Sequence, residues 1–521
     1  MGDNRKQSNA AVSPWLIALS VMLATFMEVL DTSIASVALP YIAGSVGASN
    51  DEATWVLTSY LVSNAVILPT SAWFSLRFGR RNFLLASIFV FTVASIACGA
   101  APSLPLLLLA RTVQGLGGGA LQPLSQAVLL ETFPPEKRGI AMALFGLGVV
   151  VAPVLGPTLG GWLTDSYSWR WAFYINIPVG ILAIFMISRF VADPPYIRDA
   201  KPGRLDTIGL GLLALWVGLL QIVLDKGQED DWFGAIWIRW AVVVIVIALV
   251  LFIVRELRHS APVVDLRVLK DRNFTLGCLL IASFGAIIYG MITILPLFYQ
   301  TLLGYPAQVA GITVSPRGLG SIVAMGLVAY LSSRVDNRWL MIGGFTLLGT
   351  CNLLIGQLDL DIGPNSMLWP IVISGFAIGF VFPPLAGTAM ATLPNEQIGK
   401  AAGVYNLLRN IGGSIGISTF SALLVRREQL HRTELSTHLY GSNPALDRTL
   451  SQFQELMKSH AGAATPLKRA YGELEALLTR QAQLWSYVDD FRYLALLCFF
   501  CVPVVFLLKK VSSKGRATMV E

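Results

Sequence analysis

Thr132-Phe-Pro-Pro-Glu-Lys-Arg-Gly-Ile-Ala141 reads T-x-P-x-E-x-x-G-x-A, and Thr392-Leu-Pro-Asn-Glu-Gln-Ile-Gly-Lys-Ala401 reads the same 260 residues further on. A second pair lies near the first. Ser75-Leu-Arg-Phe-Gly-Arg-Arg81 and Ser332-Ser-Arg-Val-Asp-Asn-Arg338 both read S-x-R-x-x-x-R. All four segments sit between long apolar runs. Repetition at this distance implies two copies of one structural unit in the same orientation.

Outward from these loops the chain is dominated by apolar runs. It has 521 residues, 55% hydrophobic and 13% charged, with a mean hydropathy of +0.64. A soluble domain carries about 25% charged residues, so too few are present to coat several soluble surfaces. A bilayer core ~30 Å thick needs ~20 apolar residues per helical span. Runs at about 14–39, 54–74, 83–101, 104–128, 139–163, 170–190, 206–224, 234–254, 274–299, 308–332, 339–357, 368–392, 399–424 and 490–509 meet that length. They lack the residue-by-residue alternation of a transmembrane barrel. The expectation is an all-α polytopic membrane protein of fourteen transmembrane helices. Two six-helix halves, 14–190 and 273–510, flank a linker, 191–272, that holds two extra central helices. The tails are 1–13 and 511–521.

Lys and Arg in short loops set orientation. Alternate loops carry Arg5 and Lys6; Arg77, Arg80 and Arg81; Lys137 and Arg138; Arg198, Lys201 and Arg204; Arg255, Arg258, Arg267, Lys270 and Arg272; Arg334 and Arg338; Lys509, Lys510, Lys514 and Arg516. The remaining loops are acidic or neutral, with Asp51 and Glu52, Asp225 to Asp231, and Asp359 and Asp361. Both tails are therefore expected in the cytoplasm, and the polar loop 425–489, with a helix near Ala476–Trp485, outside. This loop pattern accounts for the net charge of +7 without nucleic acid. The first apolar run is too long for a cleavable signal.

Several motifs carry no chemistry. Cys98, Cys278, Cys351, Cys498 and Cys501 all lie in apolar runs, which argues against a disulfide framework. Gly115-Leu-Gly-Gly-Gly-Ala120 follows no strand and fits close helix packing better than a dinucleotide site. Asp359-Leu-Asp361 lacks accompanying ligands, and the loop histidines His259, His431, His438 and His460 fit no metal spacing. No catalytic set, metal site or cofactor is expected, and the chain does not read as an enzyme.

Parallel repeats place a substrate site near the midplane between the halves. An ionisable group inside a span costs ~2.5–3.5 kcal/mol on insertion scales and marks function by default. Glu28 and Asp31 lie in the first span, Arg111 in the fourth, Arg409 in the thirteenth, and Arg317 shallowly in the tenth. Glu28 and Asp31 are spaced i, i+3 and face one side. Asp31 and Arg111 lie at similar depth, so this set either loads a proton or forms a fixed ion pair. Gln114, Gln122 and Gln126, with Asn406, Arg409 and Asn410, either line a polar cavity or bond neighbouring helices. Ala152, Gly156 and Gly160 recur every four residues, beside Pro153, Pro157 and Gly161, and suit a bent, close-packed interface between moving halves.

These residues together resemble the major facilitator superfamily, specifically its 14-span drug:proton antiporters of EmrB/QacA type. Leu30–Pro40 (LDTSIASVALP) resembles the family's first-span motif. Arg111-Thr-Val-Gln-Gly115 resembles its fourth-span motif, whose arginine is implicated in proton coupling. Ala152–Gly161 (APVLGPTLGG) is similar to the antiporter motif, with alanine for its first glycine, and Trp169–Gly180 (WRWAFYINIPVG) to the sixth span. The family's loop motif is similar to Ala72–Arg81 (AWFSLRFGRR), but its aspartate is Leu76 here. Glu131 is the substitute partner for Arg77 or Arg80 in a cytoplasmic gate that also includes Gly79, Arg334, Asp336 and Arg338. The long external loop resembles that of the Gram-negative EmrB branch, whose members work with a periplasmic adaptor and an outer-membrane channel.

The resemblance implies a major facilitator fold in the bacterial inner membrane and no cofactor beyond the proton gradient. It implies proton-driven export of small amphipathic or hydrophobic drugs by alternating access, with Asp31, Glu28 and Arg111 in proton coupling. The alternative is a dedicated exporter of one metabolite or siderophore.

Overall fold

The computed structural model describes residues 13–134, 137–198, 206–259, 262–332, 334–357, 359–360, 362–363, 366–439, 444–458 and 466–510. Outside them lie the tails 1–12 and 511–521, together with Glu136, Lys201, Arg204, Asp361 and His460.

The described residues are helical throughout, with no strand. The order is α1 (Pro14–Val46), α2 (Asn50–Phe78), α3 (Arg80–Ala100), α4 (Leu104–Gly118), α5 (Leu121–Thr132), α6 (Arg138–Ser166), α7 (Trp171–Tyr174), α8 (Asn176–Phe190) and α9 (Pro195–Arg198). Then come α10 (Thr207–Lys226), α11 (Ile236–Arg258), α12 (Arg272–Leu297), α13 (Ala307–Val314), α14 (Pro316–Leu331), α15 (Asn337–Ile355), α16 (Leu368–Met390), α17 (Asn395–Ser436), α18 (Pro444–Lys458) and α19 (Pro466–Phe506).

Polar residues at the loop ends start these helices. Ser49 and Glu52 form a reciprocal capping box at α2, with bonds of 3.1 and 2.9 Å. Asp206, Asp271 and Asp336 cap α10, α12 and α15 by accepting backbone N–H bonds.

Eleven helical runs of the described residues are long and apolar enough to cross a membrane. The expected spans in α2, α17 and α19 are not among them. Their hydroxyl, amide and charged residues lower the hydropathy, although each helix is longer than 25 residues. Bare apolar side chains such as Phe89, Leu109, Val246, Val250 and Leu496 stud the outer surface. Such a surface needs a lipid solvent. The chain is a multi-pass membrane protein.

Two expectations change. The fourth apolar run crosses as one span, Leu104–Thr132, but a two-residue turn at Gly119 and Ala120 divides it into α4 and α5. The described residues of the stretch 425–489 are mostly helical, as expected only for its part near Ala476–Trp485. α17 continues unbroken to Ser436, α18 follows, and α19 runs back from Pro466. Polar rungs join α17 to α19: His431 to Asp489 at 2.9 Å, Gln483 to Glu428 at 3.1 Å, and Arg432 to Glu475.

The helices form an N-terminal set, α1–α8, and a C-terminal set, α12–α19. α1 packs along α6 and α8, with α3 and α4 beside them; α12 packs along α17, and α14 and α15 along α16. The sets meet where α6 crosses α14 and α16, and where α2 and α5 cross α17. α10 lies against both α2 and α17: Ser414 donates to Gln221 and Ser418 to the Leu224 carbonyl, each at 2.8 Å, while Thr58 donates to Asp225.

Candidate functional site

Glu28 and Asp31 are buried one turn apart on α1 and hold different partners. Asp31 Oδ2 accepts from Arg111 Nη1 at 2.6 Å, and neither side chain is exposed. Asp31 Oδ1 accepts from Asn176 Nδ2 at 2.7 Å and from Gln114 Nε2 at 2.9 Å. Arg111 also donates to the Val56 carbonyl at 3.0 Å and to Gln114 Oε1 at 2.6 Å, and lies 4.3 Å from the centre of the Tyr60 ring. The charges are matched and Asp31 accepts three bonds, while Arg111 Nη2 has no hydrogen-bond partner among the described residues. Removing one partner of such a buried pair costs about 3–5 kcal/mol.

Glu28 has only neutral donors. Its Oε1 accepts from Asn64 Nδ2 at 3.1 Å and Tyr60 Oη at 3.2 Å, and its Oε2 from Gln122 Nε2 at 2.5 Å. Among the described residues no cation forms an ion pair with it. Tyr60 is shared: its hydroxyl serves Glu28 and its ring carries the Arg111 guanidinium.

Gln122 continues the chain across the molecule. Its Oε1 accepts from Arg409 Nη2 on α17. Guanidinium only donates, which fixes the amide orientation: oxygen toward Arg409, N–H toward Glu28. One turn away, Asn406 donates to Gln126 Oε1 at 2.6 Å. Two amide bridges therefore tie α5 to α17.

A cavity of about 610 Å³ separates the helix sets beyond these bridges. Arg409 and Arg317 line it, with Ser33, Phe284, Tyr289 and Phe382, and it extends to Pro40, Tyr41, Asp165 and Gln300. Of the six residues expected to line a polar cavity, Arg409 alone does so. Gln114 is engaged at Asp31, Gln122, Gln126 and Asn406 bridge the sets, and Asn410 Oδ1 accepts from Arg409 at 3.4 Å.

The antiporter-like segment of α6 also divides. Pro153, Pro157 and Gly161 line the cavity. Gly156 and Gly160 instead face Ser33 and Ile34 of α1, where a Cβ on Gly156 would overlap Ser33. Ser33 donates to the Pro153 carbonyl at 3.2 Å, and Ala152 is buried. The small-residue stripe thus joins α6 to its own set, not to the opposite one. Pro157 reaches across, toward Gly311 of α13.

The arginine-bearing end is closed. Arg80 pairs with Glu131 at 2.6 Å, and Tyr196 Oη bridges both at 2.8 Å. Burial pushes the Tyr196 hydroxyl well up, which keeps it a neutral bridge. Asp193 accepts from the Arg81 amide at 2.8 Å beside Gly79 (φ +84°), so an acid from another segment stands at this loop. Arg77 is exposed. In the second repeat, Asp336 is an N-cap that pairs locally with Arg338 at 2.8 Å, and Arg334 lies 4.1 Å from the Tyr330 ring centre. These three therefore do not reach the opposite set. What crosses is Arg138, donating to Asn395 at 3.0 Å, with Gly139 against Ser332 and Phe145 stacked on Phe382 at 6.1 Å. Arg138 and Asn395 belong to the two copies of T-x-P-x-E-x-x-G-x-A, so the repeated loops meet each other. Tyr60 and Asn64 were not singled out from sequence, although their i, i+4 polar spacing was an available signal, and Asn176 and Asn395 lay inside quoted motifs without a role.

The family model described as Major Facilitator Superfamily matches residues 21–417. Multidrug export protein EmrB of Escherichia coli (strain K12) is 35% identical over 94% of this chain and 95% of its own length. This chain belongs to the major facilitator superfamily, in its EmrB branch. The fatty acid resistance protein FarB of Neisseria gonorrhoeae is also 35% identical, over 96% of this chain and 97% of its own. The crystal structure of the human organic anion transporter MFSD10 superposes with a TM-score of 0.60 at 15% identity, over 93% of this chain and 99% of that one. That likeness is one of fold. Among the described residues no group of three or more His, Cys, Asp or Glu is arranged to hold a metal ion.

Proposed function

We propose that this chain is a proton-driven antiporter that exports amphipathic or hydrophobic compounds across the bacterial inner membrane by alternating access. The observation that carries the reading is the path from the cavity to a buried, unpaired carboxylate: Arg409 to Gln122 to Glu28. A proton on Glu28 Oε2 needs an acceptor. Gln122 becomes that acceptor only by turning its amide over, which aims its N–H at Arg409. A proton on Oε2 therefore breaks the Gln122–Arg409 bridge, one of the two between α5 and α17, and that bridge in turn favours the ionised form or a proton on Oε1, where the Tyr60 hydroxyl can accept. Proton and cargo then favour opposite states of the two helix sets, which is what coupling requires. Asp31 and Arg111 hold α1 to α4 while this happens.

In this reading fourteen helices span the bilayer. α2, α17 and α19 join the eleven apolar ones, as two six-helix halves plus α10 and α11 between them. Both termini are cytoplasmic, following the loop arginines, so the cavity faces outward. The names of the relatives, one a multidrug exporter and one a fatty acid resistance protein, support an amphipathic cargo. The projecting ends of α17 and α19, with α18, are the docking surface for a periplasmic adaptor that leads to an outer-membrane channel. The test is flux in proteoliposomes: an imposed pH gradient should drive dye movement, and a protonophore should stop it. Equal flux with and without the gradient would overturn proton coupling.

A further inference from the structure

α19 carries two consecutive acids at the root of its hairpin with α17, and only the first is paired. Asp489 meets His431 Nε2 at 2.9 Å and lies 3.8 Å from Arg427 Nε and 3.6 Å from Arg492 Nη1. Asp490 is 0% exposed, and neither of its oxygens has a hydrogen-bond partner among the described residues. No other carboxyl of those residues is buried with both oxygens unbonded. Glu28, by contrast, accepts three bonds. A buried carboxylate is normally bonded or paired, and one that is neither takes a proton in place of its charge.

The helix face explains the isolation. Tyr487 and Leu494 stand one turn to either side of Asp490. The Tyr487 ring packs on Phe298 with centroids 5.3 Å apart, and its hydroxyl is spent on Thr301 at 2.9 Å. Leu494 meets Gly290 of α12 beside Phe420 of α17. The outer ends of α12 (Ile292–Leu297) and α15 (Asn352–Ile355) carry no acid or base, and Asp359 beyond α15 is exposed. Tyr299, in the segment after α12, stacks on Tyr305. The charged groups at this level come from α17, with Arg427, Glu428 and His431, and from α19 itself, with Asp489 and Arg492. Glu428 accepts from Gln483, and His431 is held by Asp489. Arg427 is the cation whose charge acts on Asp490, yet its Nη2 donates to Tyr493 and its Nε leans toward Asp489.

We propose that Asp490 is a proton-binding site at the root of the α17–α19 hairpin: it holds a proton in the packing seen here, and on releasing it to the outer water it takes Arg427 from Asp489 and shifts α17 against α19. The exchange strands no charge. Asp489 keeps His431 and Arg492, while the ionised Asp490 gains a guanidinium that can fork onto both its oxygens. Arg427 is half-buried and within one residue of either acid along α19. The proton's way out is short, because the side chain of Asp489, the next residue, is 15% exposed. This site lies in the opposite helix set from Glu28 and goes beyond the coupling reading, on which it rests only for which end faces outward.

The test uses the full-length protein in phosphatidylcholine nanodiscs. The first readout is infrared. At neutral pH the protein should show the carbonyl band of an un-ionised carboxylic acid that Glu28→Gln keeps and Asp490→Asn loses. The band should fade as pH rises, and in Arg427→Gln it should persist to higher pH, because the cation that draws the proton off is gone. The second readout is a distance between spin labels at Leu430 of α17 and Leu477 of α19, both exposed. It should change between neutral and alkaline pH in the wild type and stay fixed in Asp490→Asn. Identical carbonyl spectra for wild type and Asp490→Asn would overturn the site, and an equal distance change in both would overturn the rearrangement. Where Asp490→Asn fails to fold, the wild type and Glu28→Gln still decide: no un-ionised carboxyl band in Glu28→Gln at neutral pH overturns the proposal. Neither readout involves flux. Absence of pH-driven export in proteoliposomes overturns the export reading and leaves this site, whereas absence of the Asp490 band overturns this site and leaves export.

Discussion

Neutralising the two acids of α1 should have opposite consequences. Asp31→Asn removes the carboxylate 2.6 Å from Arg111 and leaves a fully buried guanidinium without its counter-charge. The loss is about 3–5 kcal/mol, toward the lower end because the asparagine oxygen still accepts one bond. Glu28→Gln removes a buried carboxylate that forms no direct ion pair among the described residues, which relieves several kcal/mol of desolvation less the lost attraction of Arg409. Its amide oxygen can keep the bond from Gln122 Nε2, which turns the NH2 toward the Tyr60 hydroxyl, which can accept, and toward Asn64 Nδ2, so one donor goes unmet at about 1–3 kcal/mol. The two terms nearly cancel. Glu28→Gln should therefore melt within a few degrees of the wild type, and Asp31→Asn well below it. In reconstituted vesicles, Glu28→Gln should lose pH-driven export while still binding cargo. Two results would refute the reasoning: pH-driven export retained in Glu28→Gln, or a wild-type melting temperature for Asp31→Asn.

Gly156→Leu should destabilise the chain by about 1–3 kcal/mol by driving α6 off Ser33 of α1, read as a lower melting temperature; full stability would mean that this contact yields easily. Arg138→Ala removes the bond to Asn395, a charge-assisted contact of about 1.5–3 kcal/mol, and should populate states open at the arginine-bearing end; unchanged spin-label distances there would count against a gate. Burial opposes ionisation of Asp206, but bonds from Arg255 and the Gly209 amide outweigh it and hold the carboxyl below its usual range. Its contribution is present above about pH 4 and fades as pH falls through the depressed value, so wild type and Asp206→Asn should differ in melting temperature near pH 6 and converge toward pH 3. Replacing residues 437–465 with a Gly/Ser linker should keep vesicle flux and abolish drug resistance in cells; full resistance would make α18 an insert without a docking role.

The helical architecture was legible because lipid leaves few solutions for the backbone, and apolar runs of the right length announce themselves. The repeat was legible too, and Arg138 with Asn395 gives it a physical meaning, since equivalent loops converge where the sets close. The helical extension of α17 was hidden. Beyond the apolar run, Arg426 to Glu434 is polar but for Leu430, and its support comes from rungs to α19 43–58 residues away, which no local pattern records. The role of Asp336 was hidden by the motif that revealed it: S-x-R-x-x-x-R matches in both copies, yet the second copy uses its acid to start α15.

Glu28 and Asp31 could be named from sequence but not told apart, and the reason is geometric. Three residues along a helix is a rotation of about 300° and a rise of ~4.5 Å, enough to point two neighbours at different helices. Asp31 meets α4 at Arg111 and α8 at Asn176, whereas Glu28 meets α2 at Asn64 and α5 at Gln122. Depth matched Arg111 to either acid; only the rotation decides which acid gets the cation. The one that does becomes a fixed tie. The one that does not is left with neutral donors, a bridge to the opposite helix set and a cavity beyond it, and those are the conditions under which a single proton changes what two helices hold between them.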